Sequence, residues 1–183
     1  GGAAAADAAV ATKSLRFNSG DSSYLSRTPS SAGNRKTWTW SGWVKKTEII
    51  SSGDRQIFGS DSSGGGEFNG IAFISTNALN FRFNDSGSLQ LRSSALHRDP
   101  SAWLHIVCVA DTSQATSSDR LKMYVNGAEV TDFSSSTYPS QNAESSINST
   151  QVHEIGRRAE DGGQYFNGYL ADIHFIDGSA LDA

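Results

Sequence analysis

A single cysteine, Cys108, is all the thiol chemistry this sequence has. It excludes an internal disulfide framework and a cysteine-based zinc site. Lying inside the alternating run HIVCVAD, it reads as a buried structural thiol. The apolar runs are far too short to span a bilayer, and no charged segment followed by an apolar one opens the chain, so no membrane insertion is expected. Lysine and arginine never form a block longer than a pair and the formal net charge is −4, which leaves no footprint for a phosphate backbone and speaks against nucleic acid as a partner. The four histidines, His97, His105, His153 and His174, have no partner at i+2 or i+4, so a histidine metal site is not expected. Proline occurs only at Pro29, Pro100 and Pro139, each between candidate strands, where a missing N–H costs nothing. The chain begins without methionine and closes on GSALDA, which points to a processed protein or a fragment.

What is present is a polar, weakly charged chain of 183 residues, 37% hydrophobic and only 19% charged, which is enough for one sizeable core. Residues 1–13 open on the low-complexity run GGAAAADAAVAT, whose lack of an amphipathic stripe reads as a linker or docking arm. Residues 14–183 change to short alternating runs separated by Gly, Ser, Asn and Asp. SLRF sets Leu15 and Phe17 on one face, and WTWSGWV sets Trp38 and Trp40 on one face with a possible phase shift at Ser41–Gly42. IAFI and LNFRF give Ala72 and Ile74, then Leu79, Phe81 and Phe83. WLHIVCVAD sets Leu104, Ile106 and Cys108 against Trp103, His105, Val107 and Val109. LKMYV sets Leu121, Met123 and Val125 against Lys122 and Tyr124. YLADIHFID sets Tyr169, Ala171, Ile173 and Phe175 against Leu170, Asp172, His174 and Ile176. Many short period-2 runs and no long 3.6-period segment make this an all-β, two-sheet antiparallel β-sandwich. Between Val125 and Ala128, Asn126-Gly127 predicts a type I′ hairpin, because these residues best tolerate two positive φ angles. The polar stretches 60–70, 111–119 and 134–150 read as surface loops, where recognition usually resides.

In sequence order, SLRFNSGDSSYL, WTWSGWVK, WLHIVCVAD, LKMYVNGAEV and HEIGRRAEDGGQYFNGYLADIHFIDGSALD together resemble the laminin-G-like, concanavalin-A-like jelly roll, over Ser14 to Asp182. The closing FIDGSALD is most similar to copies of this domain in structural proteins of tailed bacteriophages. The resemblance implies that the first and last strands are neighbours, so that SLRF pairs with ADIHF. It also implies inward tryptophans, giving Trp38 or Trp40, Trp43 and Trp103 a core role, and a structural Gly168 behind an inward Phe166.

Glycosidases of this fold carry alternating acids on one strand, and retaining hydrolysis needs two carboxyls about 5–5.5 Å apart. No such run is present, nor a Gly-x-Ser-x-Gly elbow or a Walker loop, so an enzyme is not expected. Binding fits better. Sugar stacking needs an exposed aromatic beside hydrogen-bonding groups, and Tyr138 and Tyr165, with Asp161 and Glu67, are the candidates. The family often holds calcium at the sheet rim through six to eight oxygens, for which Asp61, Asp111 and Asp119 are the candidate ligands, with Glu67 and the pair Glu160–Asp161 beside them. Asx-turns explain such acids equally well. The expectation is a non-catalytic module on a virion surface, in capsid decoration or at a tail or fibre. It contacts other virion proteins through residues 1–13 and binds host-surface glycans, as a homo-oligomer or part of a larger assembly. An extracellular calcium-dependent lectin and a glycan hydrolase with a non-standard carboxylate pair are the alternatives.

Overall fold

The computed structural model describes residues 13–61, 69–83, 89–159 and 161–183. Among these residues two antiparallel sheets lie face to face. The six-stranded sheet runs, in spatial order, β1 (Leu15–Phe17), β13 (Gly168–Asp177), β3 (Thr37–Lys46), β8 (Leu104–Asp111), β9 (Leu121–Val125) and β10 (Ala128–Glu129). The seven-stranded sheet runs β11 (Phe133–Thr137), β7 (Gln90–Leu96), β6 (Ala78–Arg82), β5 (Asn69–Phe73), β4 (Arg55–Ser60), β12 (His153–Ile155) and β2 (Leu25–Arg27).

Period-2 alternation aims one set of side chains from each sheet at the other. Trp38 and Trp40 of β3, Ile106 and Cys108 of β8, and Leu121 and Met123 of β9 meet Ile57, Phe58, Ile71, Phe73, Phe81 and Leu91 of the opposite sheet. Trp38 meets Phe81 edge-on at 5.6 Å and stacks on Phe175 at 5.6 Å, while Trp40 stacks on Phe58 at 6.2 Å. Such aromatic pairs contribute about 0.5–1.5 kcal/mol each beyond the area they bury. Cys108 is fully enclosed and burial pushes its thiol pKa up, so it is the inert core residue the sequence implies.

The first and last strands are neighbours, but the register differs from the one expected. Leu15 pairs with Leu170 and Phe17 with Gly168, so β1 meets the start of β13 and not ADIHF. The facing of β13 also changes along its length. Leu170 points into the core, whereas Tyr169 and Ala171 point outward; after a β-bulge at Asp172 (φ 47°), Ile173 and Phe175 point inward. In β5 the inward residues are Ile71 and Phe73; Ala72 lies opposite, paired with Gln56 and Asn80. Ser134 to Thr137, read as loop, belong to β11, an edge strand whose serines need no apolar face because it borders only β7. Gly168 has a packing reason: a Cβ there would strike the Lys45 carbonyl and the Phe166 ring, and Phe166 is fully buried.

The hairpin between β9 and β10 turns on Asn126 (φ 52°) and Gly127 (φ 79°), with Val125 paired to Ala128. A Cβ at Gly127 would meet nothing, so only backbone conformation demands glycine there. Gly127→Val is therefore expected to cost about 1–3 kcal/mol through left-handed strain alone. Urea unfolding measures this, and an unchanged midpoint would show that the turn does not need this geometry.

Candidate functional site

The outward face of the six-stranded sheet divides into two halves. Across one half runs the chain end, where the Leu181 N–H donates to Thr39 Oγ1 (2.9 Å), Thr39 Oγ1 donates to the Ser179 carbonyl (2.8 Å) and Tyr124 OH donates to Asp182 Oδ1 (2.9 Å). Val107, Val109 and Tyr124 form a small buried cluster there. Burial and the Asp182 contact push the Tyr124 hydroxyl pKa up to about 12.

The other half carries exposed aromatic rings. Register places Arg16 beside Tyr169 and Tyr169 beside Lys45 in one cross-strand row. Trp103 directly precedes Leu104, the partner of Val44, and so comes next to Lys45; its ring centroid lies 6.5 Å from that of Tyr169. In the adjacent row Trp43 stands between Ala171 and His105, its ring 5.1 Å from the imidazole. Trp43 is 38% exposed and Trp103 37% exposed. Their expected core role is thus overturned. Trp38 and Trp40 occupy the inward phase of β3 and Trp43 is out of phase with both. No shift occurs at Ser41–Gly42: Gly42 keeps the inward phase, its missing side chain making room for Ile173 and the Trp40 ring.

Polar groups hold this aromatic face in place. Arg16 lies 4.9 Å over the Tyr169 ring, donates from Nη1 to Tyr169 OH (3.0 Å) and from Nε to the Phe17 carbonyl (3.1 Å), and reaches Asn167 Oδ1 (3.4 Å). His105 Nε2 and Ser41 Oγ are 3.0 Å apart. Asn126 does more than turn the hairpin: its Oδ1 accepts the His105 N–H (2.9 Å) and its own N–H donates to the His105 carbonyl (2.8 Å), tying the turn to the edge of the platform.

The residues expected to bind lie elsewhere. Tyr138 packs against the core from a loop. Tyr165 neighbours Arg157, whose guanidinium stacks 3.5 Å over Tyr24 and grips the buried Glu154 by two bonds of 2.5 and 2.7 Å. Asp161 is closer to Tyr165 in the same loop, but its carboxylate takes two bonds from Arg158 and one from the Gly163 N–H (2.9 Å); Arg158 holds its pKa below the usual carboxylate range. Of the candidate calcium ligands, Asp111 spends both oxygens on Thr37, Ser113 and Gln114 in an Asx-turn, and Asp119 ends a short 3-10 turn, Ser117–Asp119. Among the described residues no three His, Cys, Asp or Glu side chains gather to hold a metal, so Asp61, Asp111 and Asp119 are not brought together. Glu67 and Glu160 lie outside the described residues.

A mostly apolar slot opens along the sandwich edge between β1 and β2, as two cavities of about 230 and 350 Å³ that share Leu25 and Ile155. On the outward face of the seven-stranded sheet, Asn80 is fully buried with neither amide atom hydrogen-bonded among the described residues. Neither feature joins exposed rings to accessible hydrogen-bonding groups as the Trp43–Trp103 face does.

The family model described as the concanavalin A-like lectin/glucanases superfamily matches residues 18–183. The chain belongs to this superfamily. Its fold is similar to a heptameric SAP-like pentraxin from Limulus polyphemus (17% identity, TM-score 0.57, covering 93% of this chain and 74% of that one). It is also similar to the CBM40 of a Ruminococcus gnavus sialidase bound to α2,3-sialyllactose (12%, TM-score 0.53, 90% of each chain). A Trypanosoma rangeli sialidase matches over 81% of this chain but only 21% of its own length (10%, TM-score 0.51). At these identities the likeness is one of fold, the jelly-roll sandwich of carbohydrate-binding lectins. No curated protein sequence matches the chain.

The histidines of this superfamily member give a pH dependence. His153 accepts the Asn148 N–H at Nε2 (2.8 Å) and pairs through Nδ1 with the Gln151 carbonyl (2.8 Å), an arrangement that requires the neutral ring. Burial lowers the pKa of His153, His97 and His105 below the ordinary 6.5, with the charge of Lys46 adding to the effect at His97 and Arg27 at His153. The unfolded chain then binds more protons than the folded one, so stability is intact above 6.5 and falls as the pH drops below it. Melting temperature recorded from neutral pH to about pH 5 should decline over that window, and a flat profile would contradict the neutral assignments.

Proposed function

We propose that this domain is a non-catalytic glycan-binding module and that the Trp43–Trp103–Tyr169 face is where sugar stacks. One observation carries the reading: two tryptophans more than a third exposed stand beside a tyrosine and a histidine on a strand-built face that the core does not need. A pyranose offers an apolar face for such rings, and its hydroxyls find Asn167, His105, Lys45 and Arg16 at the margins. The absence of any carboxylate from the two platform rows supports a role in binding and not in hydrolysis. The module is carried on a larger assembly, a virion surface, where it contacts host glycans. Support for that placement is the sparse surface charge, the Ala/Gly-rich opening segment, the phage-like ending FIDGSALD, and the half-exposed Leu15 and Leu25 on edge strands open to a neighbouring protein.

On this reading Trp43→Ala weakens binding of the best ligand on a glycan array by roughly two- to tenfold, the worth of one aromatic stack. It leaves folding nearly unchanged, whereas Trp40→Ala removes a core ring and costs about 3–5 kcal/mol. Undiminished glycan binding in a Trp43→Ala, Trp103→Ala double variant would place the site elsewhere.

A further inference from the structure

Two cations flank the platform, and neither forms an ion pair among the described residues. Arg16 and Lys45 sit either side of Tyr169 in one cross-strand row, two strand spacings or roughly 10 Å apart. The ion pairs among the described residues engage Arg35, Arg55, Arg157 and Arg158, leaving Arg16 and Lys45 out. Most bases of the chain lie outside those four ion pairs; what sets Arg16 and Lys45 apart is that they share one row with exposed aromatic rings in a chain of net charge −4. Two acids lie beside the row without standing in it. Asp99, which feels the charge of Lys45, is turned to the Ser101 N–H and hydroxyl (2.8 and 2.6 Å), and Asp172 lies beyond Ala171 on the exposed bulge. Arg16 is already oriented: its stack on Tyr169 and its bonds to Tyr169 OH and the Phe17 carbonyl fix the guanidinium while leaving further N–H donors free.

We infer that the glycan taken by this face carries an anionic group, a carboxylate or a sulfate, that is held between Lys45 and Arg16 while its pyranose ring stacks on Trp43 or Trp103. This rests on the reading of the face as a glycan site. The chemistry is consistent at each contact. A fixed guanidinium and a lysine ammonium favour an anion over a neutral hydroxyl through charge-assisted hydrogen bonds. The pre-set position of Arg16 lowers the ordering cost of binding. No carboxylate stands in either row, and Asp99 beside it is already held by the Ser101 N–H and hydroxyl, while carboxylates of the general surface repel an acidic sugar elsewhere and favour this face as its landing place.

The test is calorimetric titration of the full chain with three acidic probes, a galacturonic acid oligomer, 3′-sialyllactose and a chondroitin sulfate oligomer. Each is compared with a neutral counterpart, lactose or a neutral oligosaccharide of equal length, at about 50 and about 300 mM salt. The first two probes carry carboxylate and the third adds sulfate, so the arms tell the two sources apart. The inference expects at least one acidic probe to bind several-fold tighter than its neutral counterpart and to weaken with salt. It expects Lys45→Gln and Arg16→Gln each to weaken that probe roughly three- to tenfold, Lys45→Arg to restore it, and Trp43→Ala to reduce acidic and neutral sugars alike. Equal binding of acidic and neutral probes, sensitive to Trp43→Ala but not to Lys45→Gln, overturns the anionic inference and leaves the glycan site standing. Acidic binding indifferent to Trp43→Ala and Lys45→Gln, or no binding by any probe, overturns both. Circular dichroism of each variant shows that it is folded, and both cations lie outside the core, so their replacement leaves the sandwich intact.

Discussion

The left-handed residue Asp172, φ 47°, decides which way each half of β13 faces. β13 lies between the short edge strand β1 and the long strand β3. Without the bulge, strict alternation would send Leu170 and Ile173 to opposite faces, and either the Leu170 or the Phe175 end of the strand would leave the core. With it, Leu170 packs near Phe17 while Ile173 and Phe175 reach Trp38, Trp40 and Phe58 further along. The same phase change sends Tyr169 outward at the point where β1 brings Arg16. One inserted residue therefore sets both the aromatic core and the aromatic surface.

That surface carries a cost. Apolar rings left in water forgo roughly 25 cal/mol for each Å² they fail to bury, and an exposed contiguous patch invites association. The chain end shows that the fold can cover this face: residues 179–182 lie over Thr39, Val107, Val109 and Tyr124 by three hydrogen bonds. Trp43 and Trp103 lie in the other half, each more than a third exposed. That half also has fixed polar margins, where Asn126 ties the hairpin to His105 and Arg16 is anchored to Tyr169. A stretch that is apolar, rigid and rimmed with donors has the makings of a recognition surface rather than of an unfinished core.

Much of the fold was legible in the sequence because period-2 alternation is a local property. Leu104, Ile106 and Cys108, and Leu121, Met123 and Val125, face as the pattern says, and Asn126-Gly127 makes the hairpin it signals. The errors have a common cause. A bulge adds one residue without a mark in composition, so the phase of β13 could not be counted from YLADIHFID, and the polar edge strand β11 has no alternation to find. The site was hidden for a different reason. Alternation sets Trp103 with His105, off the core face, but leaves the phase of Trp43 open at Ser41–Gly42, and the family resemblance implies inward tryptophans. Lys45 shares the strand and phase of Trp43, but Arg16 and Tyr169 join them only through strand pairing across more than 120 residues.

The shape of the platform also constrains how it works. It is a flat, wet face and not an enclosed cleft, so each contact is screened. Two aromatic stacks and two exposed charge contacts sum to about 3–4 kcal/mol, a Kd of the order of a millimolar for one glycan on one domain. An affinity that low captures little as a single copy. Linked copies raise it by turning later binding events into intramolecular ones, with gains of roughly a hundredfold or more and no new contact. A shallow, cation-flanked stacking face is thus most useful when many copies are presented together on one particle, and that requirement ties the proposed chemistry of the site to the proposed place of the domain in an assembly.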